Sequence, residues 1–147
     1  MRFKLIIAPD QEEEIQATVH KESEFISRLE NIVLSYNGTD KIAAYTEDEM
    51  VLIPFQNIEC IFLVEGKTYA VDENGRKYLL KYRLYKLEEL LPQNFFRISK
   101  SALANLDRLQ QLVLSFNGSV DAVFRCGYRD YVSRRCLSTL KRRLEIS

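Results

Sequence analysis

The period of the hydrophobic positions changes once along the chain. Near the start, residues 4–8 read as a short strand, and 15–19 alternates apolar and polar as a second. The acidic stretch Gln11-Glu12-Glu13-Glu14 turns between them. Ser23 is a candidate helix N-cap. Phe25, Ile26, Leu29, Ile32 and Val33 then follow at the spacing of one helix face, and Asn37-Gly38 is expected to end that helix. Beyond Gly38 the helical period gives way to short runs rich in β-branched and aromatic residues: 41–45, 50–54, 58–64, 68–71 and 76–82. Turn signals separate them: Glu47-Asp48, Gln56-Asn57, Glu65-Gly66 and Asn74-Gly75. Asn74-Gly75 is the strongest, because a two-residue type I′ hairpin needs φ > 0 at both positions. Residues 85–91 predict a short helix stopped by Pro92, and Phe95 to Ser99 returns to strand. Residues 109–116 and 120–125 flank Asn117-Gly118 as another hairpin, and 128–133 is a last strand. Leu137, Leu140 and Leu144 mark a C-terminal helix, with Lys141, Arg142 and Arg143 on its other face.

The fold class read from this pattern is mostly β with short helices (α+β). A β-β-α extension over residues 1–39 precedes a β domain over 40–147, with no Pro/Gly/Ser linker between them. The extension is a candidate dimerisation or packing element, and its helix face serves either role equally well.

Composition narrows the function classes. The chain has 147 residues, 46% of them hydrophobic. A chain of that size buries roughly 68–70% of its unfolded surface, enough for an ordinary core. No run approaches the ~20 apolar residues of a membrane span. The apolar stretch near Met1 is too short for a signal peptide, so a cytoplasmic protein without membrane insertion is expected. Cys60, Cys126 and Cys136 have neither disulfide-framework nor zinc spacing, and Cys60 lies in an apolar run as a core residue. With His20 as the one histidine, no metal cluster and no cofactor site is expected. Phosphate-binding glycine loops, nucleophile elbows and zinc-protease patterns are missing. The contiguous carboxylates Glu12-Glu13-Glu14 and Glu47-Asp48-Glu49 read as solvated turns. An enzyme is not expected.

Net charge is zero, but its distribution is uneven. Residues 1–60 hold 5 Lys/Arg against 12 Asp/Glu, and residues 61–147 hold 16 against 9, so the two parts carry −7 and +7. Such a split points to a nucleic-acid partner for the basic part.

Two segments concentrate that charge. In Phe95-Phe96-Arg97-Ile98-Ser99-Lys100-Ser101-Ala102-Leu103-Ala104-Asn105, strand alternation puts Phe96 and Ile98 on one face and Arg97 and Ser99 on the other. Lys100 and Ser101 fall where the strand gives way to a loop, and a cation with a hydroxyl there suits phosphate or base-edge contact. Tyr128-Arg129-Asp130-Tyr131-Val132-Ser133-Arg134-Arg135-Cys136-Leu137 is another strand ending in basic residues ahead of a basic helix. Together with Ile58-Glu59-Cys60-Ile61 and Leu84-Tyr85-Lys86-Leu87-Glu88-Glu89-Leu90-Leu91-Pro92, these motifs resemble the LytTR DNA-binding family across roughly residues 40–146. The leader resembles that of stand-alone bacterial regulators of this type that lack a receiver domain.

The resemblance implies an elongated antiparallel multi-sheet β fold. It also implies strand-end loops, rather than a recognition helix, entering successive major grooves of double-stranded DNA. Binding as a homodimer on paired sites follows from the same source. Carried over by motif, the contacting positions are the turn at Gly66, Lys67, Thr68 and Tyr69, then Lys100 and Ser101, then Ser133, Arg134 and Arg135. Lys100 and Arg135 are assigned to base edges, and Lys67, Ser101 and Arg134 to phosphates. Structural readings compete at neighbouring positions: Arg97 paired with an acid, Asn105 bonding its own backbone, Arg142 and Arg143 complementing the helix dipole, Phe95 and Phe96 in the core. The competing function is a protein-interaction module, in which the acidic leader binds a regulatory protein partner such as a small membrane protein, without DNA binding.

Overall fold

The computed structural model describes residues 1–36 and 40–145, so the expected stop at Asn37-Gly38 lies outside the described residues. After α1 (Glu24–Tyr36), strands β1 (Lys41–Tyr45), β2 (Met50–Pro54), β3 (Ile58–Val64), β4 (Lys67–Asp72) and β5 (Lys77–Leu80) precede α2 (Leu84–Leu90). Then come β6 (Phe95–Ser99), β7 (Ala102–Asn105), β8 (Leu109–Leu114), β9 (Val120–Phe124), β10 (Arg129–Val132) and α3 (Arg134–Leu144). One sheet has seven strands in the order β2-β1-β5-β4-β3-β7-β6, and the other three in the order β10-β9-β8. All the pairings are antiparallel. The mostly-β class with short helices is what the alternation predicts.

The large sheet is covered along one face and, at its β3-β7-β6 end, on the other as well. On one, Ile42, Ala44, Ile53, Ile61, Ala70, Leu80 and Leu103 pack with Leu84, Leu87 and Leu91 from α2 and its end. On the other, Cys60, Ile98, Ala102 and Ala104 pack with Val120, Ala122, Phe124 and Val132 of the small sheet and Leu140 of α3. Each fully buried Ile, Leu or Phe contributes about 1.5–3 kcal/mol. The two helices therefore cap opposite faces, and α3 is held over the β6 side by its one buried residue, Leu140.

A bulge in β3, between Ile58 and Cys60, reverses the alternation so that Ile58 and Ile61 face the first core and Cys60 the second. Glu59, at the bulge, is 0% exposed. Its Oε1 accepts from Cys126 N at 2.9 Å, and its Oε2 lies 3.3 Å from Arg108 Nε. Arg108 also donates to Gln56 O at 3.0 Å. A buried carboxylate is tolerable only with such a partner, and here it ties the small sheet's β9–β10 turn to the large sheet.

Three expectations need correction. Residues 4–8 and 15–19 pair with no strand of this chain. Alternation marks a segment able to lie on an apolar face, but a strand exists only with a ladder partner. Phe3, Ile7 and Ile15 stay exposed, so the leader is an unpaired chain followed by a helix. The type I′ turn is at Glu65-Gly66, with φ of 50° and 80°, and not at Asn74-Gly75. There, Asp72 Oδ1 accepts from the amides of Asn74 and Arg76, both at 2.9 Å, and only Gly75 is left-handed (φ 79°). The carboxylate selects a three-residue loop with a terminal glycine. Finally, Ala102 to Asn105 is strand β7, not loop: Ala-Leu-Ala-Asn lacks β-branched residues, and only pairing with β3 and β6 makes it extended.

Candidate nucleic-acid interface

The antiparallel pairing of β3 with both β4 and β7 puts the β3–β4 and β6–β7 turns at one end of the large sheet. Leu63 N donates to Ser101 O at 2.8 Å, carrying the β3–β7 ladder up to the Lys100-Ser101 turn. On the other side, Ser133 N donates to Ile98 O at 2.8 Å and joins the start of α3 to the end of β6. The three loops singled out in the sequence are thus stitched together by backbone hydrogen bonds. A fourth element borders them: the Asn117-Gly118 turn lines a recess of about 180 Å³ with Tyr131, Arg134 and Leu137.

The nine candidate residues do not sit alike: Gly66, Lys100 and Ser101 are turn residues, but Lys67, Thr68 and Tyr69 belong to β4, and Arg134 and Arg135 form the first turn of α3 and not the loop expected before it. Lys67, Lys100, Ser101, Arg134 and Arg135 are exposed, and Ser133 is half-buried. Among the described residues, no acidic side chain lies within ion-pair distance of Lys67, Lys100, Arg134 or Arg135. By contrast, Arg97, Arg108 and Arg129 are paired with Glu88, Glu59 and Asp121. Thr68 is only 4% exposed, its side chain turned into the sheet. Tyr69 stacks on Phe62 at 5.5 Å between centroids, and Phe62 stacks on Tyr128 at 5.5 Å. Lys77 Nζ lies 5.6 Å from the Phe62 centroid. Tyr69 is therefore part of an aromatic stack that supports its strand, with its half-exposed edge toward solvent.

Ser133 is a helix cap. Its hydroxyl accepts from Cys136 N at 3.2 Å, fixing where α3 begins and so where Arg134 and Arg135 emerge. Further along α3 the exposed Arg143 lies back against the domain surface: it donates to Gln93 O at 2.7 Å and lies 5.6 Å from the Phe96 centroid. Asn105 is wholly buried, accepts from Asp107 N at 3.0 Å and donates to Ile58 O at 2.8 Å. It thus joins strands as well as bonding locally.

Behind the β9–β10 turn, burial pushes the Cys60 and Cys126 thiols and the Tyr128 hydroxyl up from their ordinary pKa values. The Asp130 carboxyl is raised as well, chiefly by burial, although the Tyr128 hydroxyl at 2.8 Å and the Tyr131 amide work against the shift. At neutral pH the thiols are held protonated, as structural groups rather than nucleophiles.

Two contributors escape sequence reasoning. Glu65-Gly66 reads as a turn, but the left-handed φ of Glu65 is not marked by its residue type, since the favoured residues there are Asn and Gly. The second is the backbone bond between Ser133 and Ile98, 35 residues apart in the sequence, which no local pattern encodes.

Residues 48–145 match the family model described as the LytTr DNA-binding domain. HTH-type transcriptional regulators of Staphylococcus aureus strains MSSA476 and MRSA252 are each 31% identical over 147 residues, covering 99% of both chains. That length includes the leader. A LytTr DNA-binding domain from Bacillus cereus has a similar fold, with a TM-score of 0.67, 24% identity and coverage of 74% of this chain and 100% of that one. The described helices are each separated by strands, so no helix-turn-helix unit is found among the described residues. Nor is any described helix long and apolar enough to cross a membrane.

Proposed function

The chain belongs to the LytTr DNA-binding domain family, and from that premise we propose that it is a sequence-specific transcriptional regulator acting in the bacterial cytoplasm. It holds DNA with the three stitched loops at one end of the large sheet, each loop entering a successive major groove. The observation that carries this reading is a set of exposed cations without acidic partners among the described residues: Lys67 at the start of β4, Lys100 in the β6–β7 turn, and Arg134 and Arg135 in the first turn of α3, on elements joined by backbone bonds. Lys100 and Arg135 reach base edges, where a good contact contributes about 1–3 kcal/mol of discrimination. Lys67, Ser101 and Arg134 hold phosphates. Thr68 and Tyr69 support the first turn from within.

Residues 1–39 act as a separate extension, and 40–147 as the DNA-binding domain. The extension exposes Phe3, Ile7 and Ile15, and its helix exposes Phe25 (52%) and Ile32 (59%) seven residues apart on one face. This supports pairing of two copies on paired DNA sites. A gel shift on the gene's own upstream DNA tests the function. The Lys100→Ala/Arg135→Ala double variant is expected to lose binding while its circular dichroism stays unchanged. Undiminished binding by that variant rules out the assigned contacts. Removal of residues 1–39 should lower the sedimenting mass toward that of a monomer; a mass still that of a dimer excludes the extension as the pairing element.

A further inference from the structure

A neutralised arginine braces the Lys100 turn. Arg97 Nε donates to Ser99 O at 2.9 Å, and Nη2 donates to Lys100 O at 2.7 Å. Its third nitrogen, Nη1, donates to Glu88 Oε2 at 2.8 Å. The guanidinium side chain is 30% exposed and that of Glu88 48%. Glu88 belongs to α2, which is anchored in the first core by Leu84 and Leu87. The turn it supports follows a bulge: β6 holds one more residue than β7 between Arg97 and Ser99. Such a bulge bends the strand end and re-aims the residues beyond it.

We propose that Arg97 is the positioning residue for the Lys100 base contact, with Glu88 as its anchor; this rests on the DNA-binding reading above. The fork of the guanidinium joins two successive carbonyls of the turn to a helix fixed in the core. Without the clamp the turn would keep only the Leu63 N–Ser101 O bond and the bond from Ser101 N to Ser99 Oγ, so the backbone that carries Lys100 would be looser and ordering it on DNA would subtract from affinity. The clamp removes that freedom in advance. Because Glu88 already neutralises Arg97, the guanidinium releases no counterions when DNA binds, unlike Lys67 or Arg134. Replacement by lysine cannot preserve the clamp, since an ammonium on a flexible stem does not reproduce three directed bonds in one plane.

The test compares affinity for the upstream DNA with affinity for a random-sequence duplex, each over a range of salt. Arg97→Gln and Arg97→Lys are both expected to lower the ratio of specific to random affinity about tenfold, with the salt slope of random binding unchanged. Glu88→Gln, on an exposed helix face, should lower the ratio in the same sense without threatening the fold. Arg97→Gln added to Lys100→Ala should cause little further loss, because both act through one contact. Two results overturn the proposal. One is rescue by Arg97→Lys together with a salt slope about 0.9 smaller in Arg97→Gln, the signature of a direct phosphate contact. The other is an unchanged ratio in both Arg97→Gln and Glu88→Gln. Failure of the wild type to shift either DNA defeats the DNA-binding reading itself, a result distinct from both.

Discussion

The salt dependence of DNA binding can be worked out before any target sequence is identified. Lys67 opens β4 and Arg134 opens α3; both are exposed and without acidic partners among the described residues. If each neutralises one phosphate, each contributes about −0.9 to the slope of log affinity against log salt. The Lys67→Ala/Arg134→Ala variant should therefore have a slope shallower by ~1.8 per chain, and a dimer doubles the difference. Over a fourfold rise in salt, from about 50 to about 200 mM, wild type should weaken ~12-fold more than the variant. Arg129→Ala is the control, because Arg129 is paired with Asp121 at 3.1 Å and lies outside the three loops; its slope should match wild type. Fluorescence anisotropy with a random-sequence duplex suffices, since this part of binding does not read sequence. Equal slopes for wild type and the double variant, with both folded, would refute the assignment of these two side chains to phosphates. An equal loss of slope in Arg129→Ala would refute the argument that pairing decides which cations count.

Three further outcomes bear on the scaffold. Glu65 is a non-glycine residue at φ 50° in the β3–β4 turn; Glu65→Asn should raise thermal stability by about 1 kcal/mol and, if this turn meets DNA, tighten binding by removing a carboxylate, as thermal melts and anisotropy will show. Arg108→Ala strands the fully buried Glu59 and should cost about 3 kcal/mol in urea unfolding; a loss no larger than that of an ordinary surface substitution contradicts the bridge between the sheets. Asp130, raised chiefly by its burial, binds its proton more readily folded than unfolded. Its contribution is complete below the unfolded pKa near ~3.9 and is lost as pH rises through the higher folded value. Wild type should therefore lose stability relative to Asp130→Asn between acid and neutral pH, measured as the difference in urea midpoints.

Most of the fold is legible locally. The apolar runs 41–45, 50–54 and 58–64, bounded by turn signals, mark three strands, and Leu137, Leu140 and Leu144 mark the last helix. Ser133 and the basic residues after it are equally plain, since a cap and a helix start are local events. What pairs with what is not local. Alternation at 15–19 is as regular as in true strands, yet no edge receives it; Ala102 to Asn105 lacks the composition of a strand and is one because two strands flank it.

The same division holds at the interface. The sequence by itself determined which side chains carry charge, the −7 and +7 parts, and the strand-end placement of Lys100. Only the tertiary structure decided that three loops share one end of a sheet. It also decided that Thr68 turns inward, that Tyr69 stacks on Phe62, and that Arg97 is spent on the backbone of a turn. The physical reason is range: capping, periodicity and turn chemistry act over a few residues, whereas ladder register, core packing and the pairing of a buried charge depend on chain that arrives from far along the sequence.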